Sequence, residues 1–458
     1  MSVEPGPGSE PKPIVKPLFG IDERPDTWWE CLLYGWQHTL VDISPFILPL
    51  AVAGGLGMGP DGTAQLINFG LFAMGVATLL QTTIGNRLPI VQGPSATLTG
   101  TLAPLAAQLG GPAMWGGIFV GGLVEALVGA SRILGSLRRL LPAAVSGVVV
   151  AVIGLSLGGL AVRLSLGDGS LHNVAYAGGV IGLIFLLQTV GKRFFGGLLA
   201  RGAIFIAIWA VGLGVGASLG HVDWSLVAAK PWIAWPSLFP YGGPGFGWEW
   251  SLAAVLVILA GYFGSMVESL GDYAATCAVA GEPYTEKHMN RGILAEGLGG
   301  MISAVLGGLP CTSYTQNIGI IASTRVASRF VVQVAAGVLL LYGLCPKFGA
   351  LLVAMPRSVL GGVFVIVCGM IVVSGMRLVQ SAASTLRSDL VVGTTLILSL
   401  GVPAHVKSLG EPFLQSLAAF PRLMLTNSVV LAVFLGVGLN LLLNVALHEP
   451  SHREPGEV

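Results

Sequence analysis

What most constrains this chain is that apolar stretches recur along nearly its whole length while three carboxylates, Glu268, Asp272 and Glu296, sit inside them. Stretches of that kind belong in lipid, where each backbone polar group must find a partner within the protein, so helices are the permitted spanning form. A carboxylate at that depth costs ~2.5–3.5 kcal/mol on insertion scales and therefore faces a cavity or a partner, marking a solute or proton path. All three acids lie between Gly261 and Arg325, a segment that ends in the polar run 312–319.

Composition excludes the alternatives to a membrane fold. A chain of 458 residues that is 53% hydrophobic and 10% charged is not a soluble globular domain, in which about a quarter of residues are charged. The formal net charge is +1 and the basic residues are scattered, so no nucleic acid is expected as a partner. The five cysteines, Cys31, Cys277, Cys311, Cys345 and Cys368, are far apart and lack CxxC spacing. They read as packing residues, and no metal site is expected. Residues 1–27 are rich in Pro and charge without an apolar core, so they read as a flexible cytoplasmic tail with no cleavable signal, and 448–458 read as a second tail.

Fourteen apolar stretches follow, near residues 30–53, 64–84, 90–108, 112–131, 139–160, 174–190, 199–219, 250–277, 288–308, 312–326, 329–346, 349–374, 388–405 and 424–446. Between the seventh and eighth, residues 223–249 are polar, aromatic and Pro/Gly-rich, which suits an interfacial link. Most of the 23 basic residues fall in the even-numbered loops and the tails, so both termini are expected on the cytoplasmic side.

The third stretch of each half is a poor spanning helix: residues 91–97 contain Gly93 and Pro94, and residues 313–319 are almost entirely polar. Each should begin as a short β-strand and then turn helical near Thr97 and near Ile318. Interruptions at matching positions of two seven-span halves point to an inverted-repeat transporter with a site at mid-membrane. The halves are residues 28–222 and 250–447. Helix amino ends aimed at the centre would favour acceptor atoms on a polar solute.

The sequence Gln316-Asn317-Ile318-Gly319, followed by Thr324-Arg325, resembles the signature of the nucleobase-ascorbate transporter family. Gln37-His38, Gln92-Gly93-Pro94-Ser95, the run from Glu268 to Tyr273 and the run from Arg291 to Gly297 are similar to the same family in the same order. The resemblance covers most of residues 30–445. It implies an all-α polytopic membrane protein of the uracil permease-like fold. Spans 1–4 and 8–11 would form a core domain and spans 5–7 and 12–14 a gate domain, with substrate between them and homodimers formed through the gate. It also implies a cell-membrane carrier for a nucleobase, coupled to protons, with no cofactor.

By the same resemblance, Glu268 and Gln316 bind the base, with Ser95, Ala96 and Asn317 around it. An ionised carboxylate only accepts hydrogen bonds, whereas an amide donates and accepts, as an edge carrying both C=O and N–H requires. Asn317 is expected to fix the strand. Asp272 follows Glu268 by four residues, so the two share a helix face and can hold one proton between them. Asp272, Glu296 and His38 are the expected proton-coupling or network residues, while Glu125 and Asp42 are intramembrane acids without a role assigned. Many relatives carry an aromatic residue where this chain has Ala96, and stacking is worth ~1–3 kcal/mol per base.

In the family, an amide at the Gln316 position and an acid at the Asp272 position go with carriers of xanthine and uric acid, so the resemblance implies an oxidised purine imported with protons. A uracil–proton symporter is the alternative, and an anion exchanger of the same fold is a weaker one. No phosphate-binding loop, metal cluster or nucleophile elbow supports an enzyme.

Overall fold

The computed structural model describes residues 17–42, 44–134, 142–193, 198–241, 247–382 and 385–446. Residues 1–16 of the first expected tail and all of the second, 448–458, therefore lie outside the described residues, as does residue 447.

The chain is mostly helical. In the first half, α1 (Trp28–Val41) opens with a capping box between Thr27 and Glu30 and stops at Asp42, and α2 (Ser44–Gly55) resumes the same span. Next, α3 (Pro60–Thr83) starts on a proline that lacks the N–H a helix start leaves unpaired. Strand β1 (Gln92–Pro94) leads into α4 (Ala96–Ser131), which breaks at Gly110 with φ 79°. The half ends with α5 (Ala143–Leu166), α6 (Leu171–Thr189) and α7 (Ala203–Ser218).

The second half holds α8 (Leu252–Ala280), α9 (Glu286–Val305), strand β2 (Cys311–Ser313) and α10 (Thr315–Thr324). It continues with α11 (Arg329–Leu344), α12 (Pro346–Ala354), α13 (Arg357–Ser381), α14 (Leu386–Ser408), α15 (Ala419–Thr426) and α16 (Ser428–Asn440).

Among the described residues, eight helices are long and apolar enough to cross a membrane, or up to ten if each bent pair counts as one span. The pairs are α11–α12, bent by 74°, and α15 with the helix after it, bent by 93°. Other apolar stretches of the sequence form different pieces. Helix α10 has 10 residues, α7 contains a π-helical stretch at Ile208–Val215, and α9 carries Glu286, Lys287, Arg291 and Glu296.

Helix pairs meet through small residues, as expected where lipid offers no hydrophobic drive and close approach supplies the dispersion energy. A Cβ on Gly122 of α4 would stand 2.7 Å from the Gly297 carbonyl of α9. One on Gly75 of α3 would stand 2.9 Å from the Ala336 carbonyl of α11, and one on Gly147 of α5 would stand 2.7 Å from the Gly375 carbonyl of α13. Helix α1 also lies on α11 and α8 on α4, while α5, α6, α13, α14 and α16 pack among themselves as a second group.

The described parts of the 223–249 link, residues 223–241 and 247–249, lie over the ends of the first group, and residues 242–246 lie outside the described residues. Tyr241 stacks on Trp115 with ring centroids 4.4 Å apart, and Lys347 donates to the Val227 carbonyl at 2.8 Å. On another face, residues 18–21 run beside 325–329, with Leu18 N donating to Arg325 O at 2.7 Å and Ala327 N to Phe19 O at 2.9 Å. Asp22 there forms ion pairs with both Arg87 and Arg329.

Candidate functional site

Two interrupted segments meet at the centre of the first group. Strands β1 and β2 pair antiparallel, with Gln92 opposite Ser313, Gly93 opposite Thr312 and Pro94 opposite Cys311. Ser95 N donates to Pro310 O at 3.0 Å and Tyr314 N to Val91 O at 3.1 Å, extending the ladder past both ends. Gln92 N donates to Thr78 Oγ1 on α3 at 3.0 Å. Extended backbone buried this deeply has to be satisfied by protein, and here the partners are mutual.

Gly93 is required by its neighbour rather than by its own dihedrals. A Cβ there would come within 2.6 Å of the Tyr314 ring, which lies over β1 while its hydroxyl donates to Pro94 O at 3.0 Å.

Both strands run straight into helices, whose first N–H groups lack backbone partners. In α4 the Ser95 hydroxyl accepts from Leu98 N at 3.2 Å, an ordinary serine cap. In α10 the residue at the cap position is Tyr314, with no side-chain cap. The helix begins at Thr315, three residues before the position read from sequence, because Tyr314 is extended and Thr315 already helical. Gln316 and Asn317 thus belong to the first helical turn.

Around these ends lies a cavity of about 170 Å³. From the first group it is lined by Pro94, Ala96, Glu268 and residues 312–316; from the second group by Val150 of α5 and Met370, Ile371 and Ser374 of α13. Glu268 Oε2 accepts from Thr97 Oγ1 at 3.0 Å. Gln316, half-buried, has no hydrogen-bond partner among the described residues and lines the same cavity.

Asp272, one turn beyond Glu268 on α8, is held by two residues of the cavity lining. Its two oxygens accept from Ser313 Oγ at 2.9 Å and Thr315 Oγ1 at 2.8 Å. Glu296 Oε1 accepts from Ser313 N at 3.0 Å, so one residue of β2 holds carboxylates from two helices. Ser269 and Thr312 share a further hydroxyl contact of 2.8 Å. The ion pairs of the described residues are all remote from these acids, which are held by neutral donors alone.

His38 and Asn317 stand apart from the cavity. Asn317 Nδ2 lies 2.9 Å from His38 Nδ1 and 3.3 Å from His38 O, which ties α10 to α1 rather than fixing a strand. Ser95 is fully buried behind the cavity, 3.4 Å from Ser265 Oγ. Asp42 and Glu125 are buried too, the first beside Asn317 and the second within electrostatic reach of Glu296. Sequence reading missed Thr97, Ser313 and Thr315, whose partners are tens to hundreds of residues away, and the α13 residues of the cavity wall. The arrangement offers a carboxylate acceptor and a free amide to one small polar solute.

The comparisons with known proteins agree on what kind of chain this is. A family model described as "Permease family" matches residues 30–408. The uric acid permease PucK of Bacillus subtilis is 33% identical over 395 residues, covering 83% of this chain and 89% of that protein. The xanthine permease XanQ of Escherichia coli is 32% identical over 413 residues, covering 84% and 86%. Among solved structures, the transmembrane domain of the cyanobacterial bicarbonate transporter BicA superposes with a TM-score of 0.55 at 15% identity, covering 92% of this chain and all of that one. That likeness concerns the fold.

Proposed function

The chain belongs to the nucleobase-ascorbate transporter family of permeases, and from that premise we propose that it carries an oxidised purine, xanthine or uric acid, across the cell membrane together with protons. It is a multi-pass membrane protein and a transporter rather than an enzyme. The observation that carries the substrate reading is that Glu268 and Gln316 line one small cavity between two groups of helices. Glu268 would accept from ring N–H groups. Gln316 would donate to a carbonyl oxygen and accept from a neighbouring N–H, a match to the alternating C=O and N–H edge of an oxidised purine. Asp272, Glu296 and His38 are the proton-linked network in this reading, and Asn317 supports it through His38.

The fold belongs to the same reading. Fourteen spans in two inverted halves are supported by the crossings, since α3 meets α11 as α9 meets α4, and α1 meets α11 as α8 meets α4. The first group of helices is then the core domain and the second the gate, through which a homodimer would form. Both termini would be cytoplasmic. A cysteine put at Pro283 should resist an impermeant thiol reagent added to intact cells, and rapid labelling from outside would overturn the topology.

Uptake of labelled xanthine, uric acid, hypoxanthine, adenine, uracil and ascorbate, with and without a protonophore, tests the substrate and the coupling. Xanthine or uric acid should be taken up in preference to uracil, and the protonophore should abolish accumulation. Gln316→Glu should lower purine uptake by an amount worth ~1–3 kcal/mol, the usual penalty for an unpaired buried polar group. Displacement of labelled purine by uracil as effective as that by xanthine would leave the uracil reading in its place.

A further inference from the structure

A second, larger cavity of about 510 Å³ lies between the same two groups of helices, lined by Gly100, Ala103 and Pro104 of α4, Leu157 and Leu160 of α5, and the α15–α16 break at Thr426–Ser428. Its charged side chains are Arg163, near the end of α5, and Lys407, near the end of α14. We propose that Arg163 and Lys407 form an entry subsite that captures the monoanion of an oxidised purine before it reaches Glu268 and Gln316. This rests on the purine reading above and adds to it a route and a charge preference.

The subsite's charge is uncompensated. Neither cation has an ion pair among the described residues, and Arg163 is the charged group that bears on Lys407. The nearest acid in sequence to Arg163, Asp168, accepts instead from Ser170 N at 2.9 Å and Asn173 Nδ2 at 2.8 Å, and Glu411, four residues beyond Lys407, forms no ion pair with it among the described residues. By contrast, Lys230 is paired with Asp61 at 2.6 Å and Lys347 with the Val227 carbonyl. Two like charges lining one cleft with low-dielectric walls focus the field and raise the local concentration of an anion.

Position argues for entry rather than for a separate site. The inner cavity touches Ala96 of α4 and Val150 of α5. The outer one touches Ala103 and Leu157, seven residues further along each helix, or about 10 Å at 1.5 Å per residue. Between them α4, α5 and α16 close together: a Cβ on Gly100 would lie 2.9 Å from Val429 Cγ2 and 3.8 Å from Ile153 Cγ2. In the proposed topology the carboxyl ends of α5 and α14 face outside, the side on which basic residues are least favoured.

An oxidised purine has an acidic ring N–H beside a carbonyl, whose anion the ring system delocalises, and ionises near or below neutral pH, whereas hypoxanthine remains neutral there. Initial uptake of urate and of hypoxanthine should therefore be measured for wild type, R163Q/K407Q and the charge-preserving R163K/K407R, at low and at physiological ionic strength. For R163Q/K407Q the urate KM at low salt should rise roughly tenfold, the lower end of electrostatic steering, with Vmax and hypoxanthine uptake unchanged. R163K/K407R should behave as wild type, and added salt should erase the difference. Equal losses for urate and hypoxanthine, or unaltered urate uptake at low salt in R163Q/K407Q, would overturn the subsite. If wild type transports neither purine, it is the purine reading that fails, and the wild-type arm alone reveals it.

Discussion

The two strand-to-helix junctions share a backbone and differ in chemistry. At the first, Ser95 spends its hydroxyl on Leu98 N, and the next residue, Ala96, offers the cavity a methyl group. At the second, the helix start has no side-chain cap, and Gln316 extends an unbonded amide into the cavity. The lesson is that the first half of the chain gives the cavity an apolar wall and the second half its carboxylate and amide. The first junction makes one polar contribution, the Thr97 hydroxyl on Glu268 at 3.0 Å.

The comparison can be broken most decisively at the acid. Glu268→Gln keeps the shape and removes the charge, so uptake should fall about 10- to 100-fold, because hydrogen bonds to charged groups contribute ~1.5–3 kcal/mol. Surface expression should persist. Transport near the wild-type rate with full proton dependence would remove Glu268 from the site and with it the division of labour between the junctions.

A smaller effect is expected at Thr97. Thr97→Val deletes the hydroxyl but keeps the volume, and the lost hydrogen bond should raise KM by a few-fold, in line with ~0.5–1.5 kcal/mol for an ordinary bond. Kinetics of purine uptake would measure it. A loss as deep as that of Glu268→Gln would mean that the first junction recognises substrate on equal terms with the second.

Much of this arrangement was legible in the chain. Polar and Pro/Gly residues inside apolar stretches marked both junctions, and the acids at 268, 272 and 296 stood out because lipid tolerates them only with partners. The reading went astray where tertiary contacts decide. Ile318 looked like a helix start because the preceding run is polar, yet Thr315 can begin the helix since its hydroxyl is engaged by Asp272. Asp272 follows Glu268 by one turn on α8, but its partners, the hydroxyls of Ser313 and Thr315, are 41 and 43 residues away and carry no local signal. Thr97 had no sequence signal at all, because its partner is 171 residues away and meets it through the packing of α4 on α8 around the paired strands.

The inner cavity's walls are unequal. The second helix group presents Val150, Met370 and Ile371, with Ser374 its lone hydroxyl, whereas the carboxylate and amide come from the first. A solute bound by those groups would be a passenger of one body and merely slide past the other, so crossing the membrane would require no exchange of hydrogen bonds midway. The friction of the journey would then be set by the smoothness of an aliphatic surface, and selectivity and speed could be altered independently, the first at α8 and α10, the second along α5 and α13.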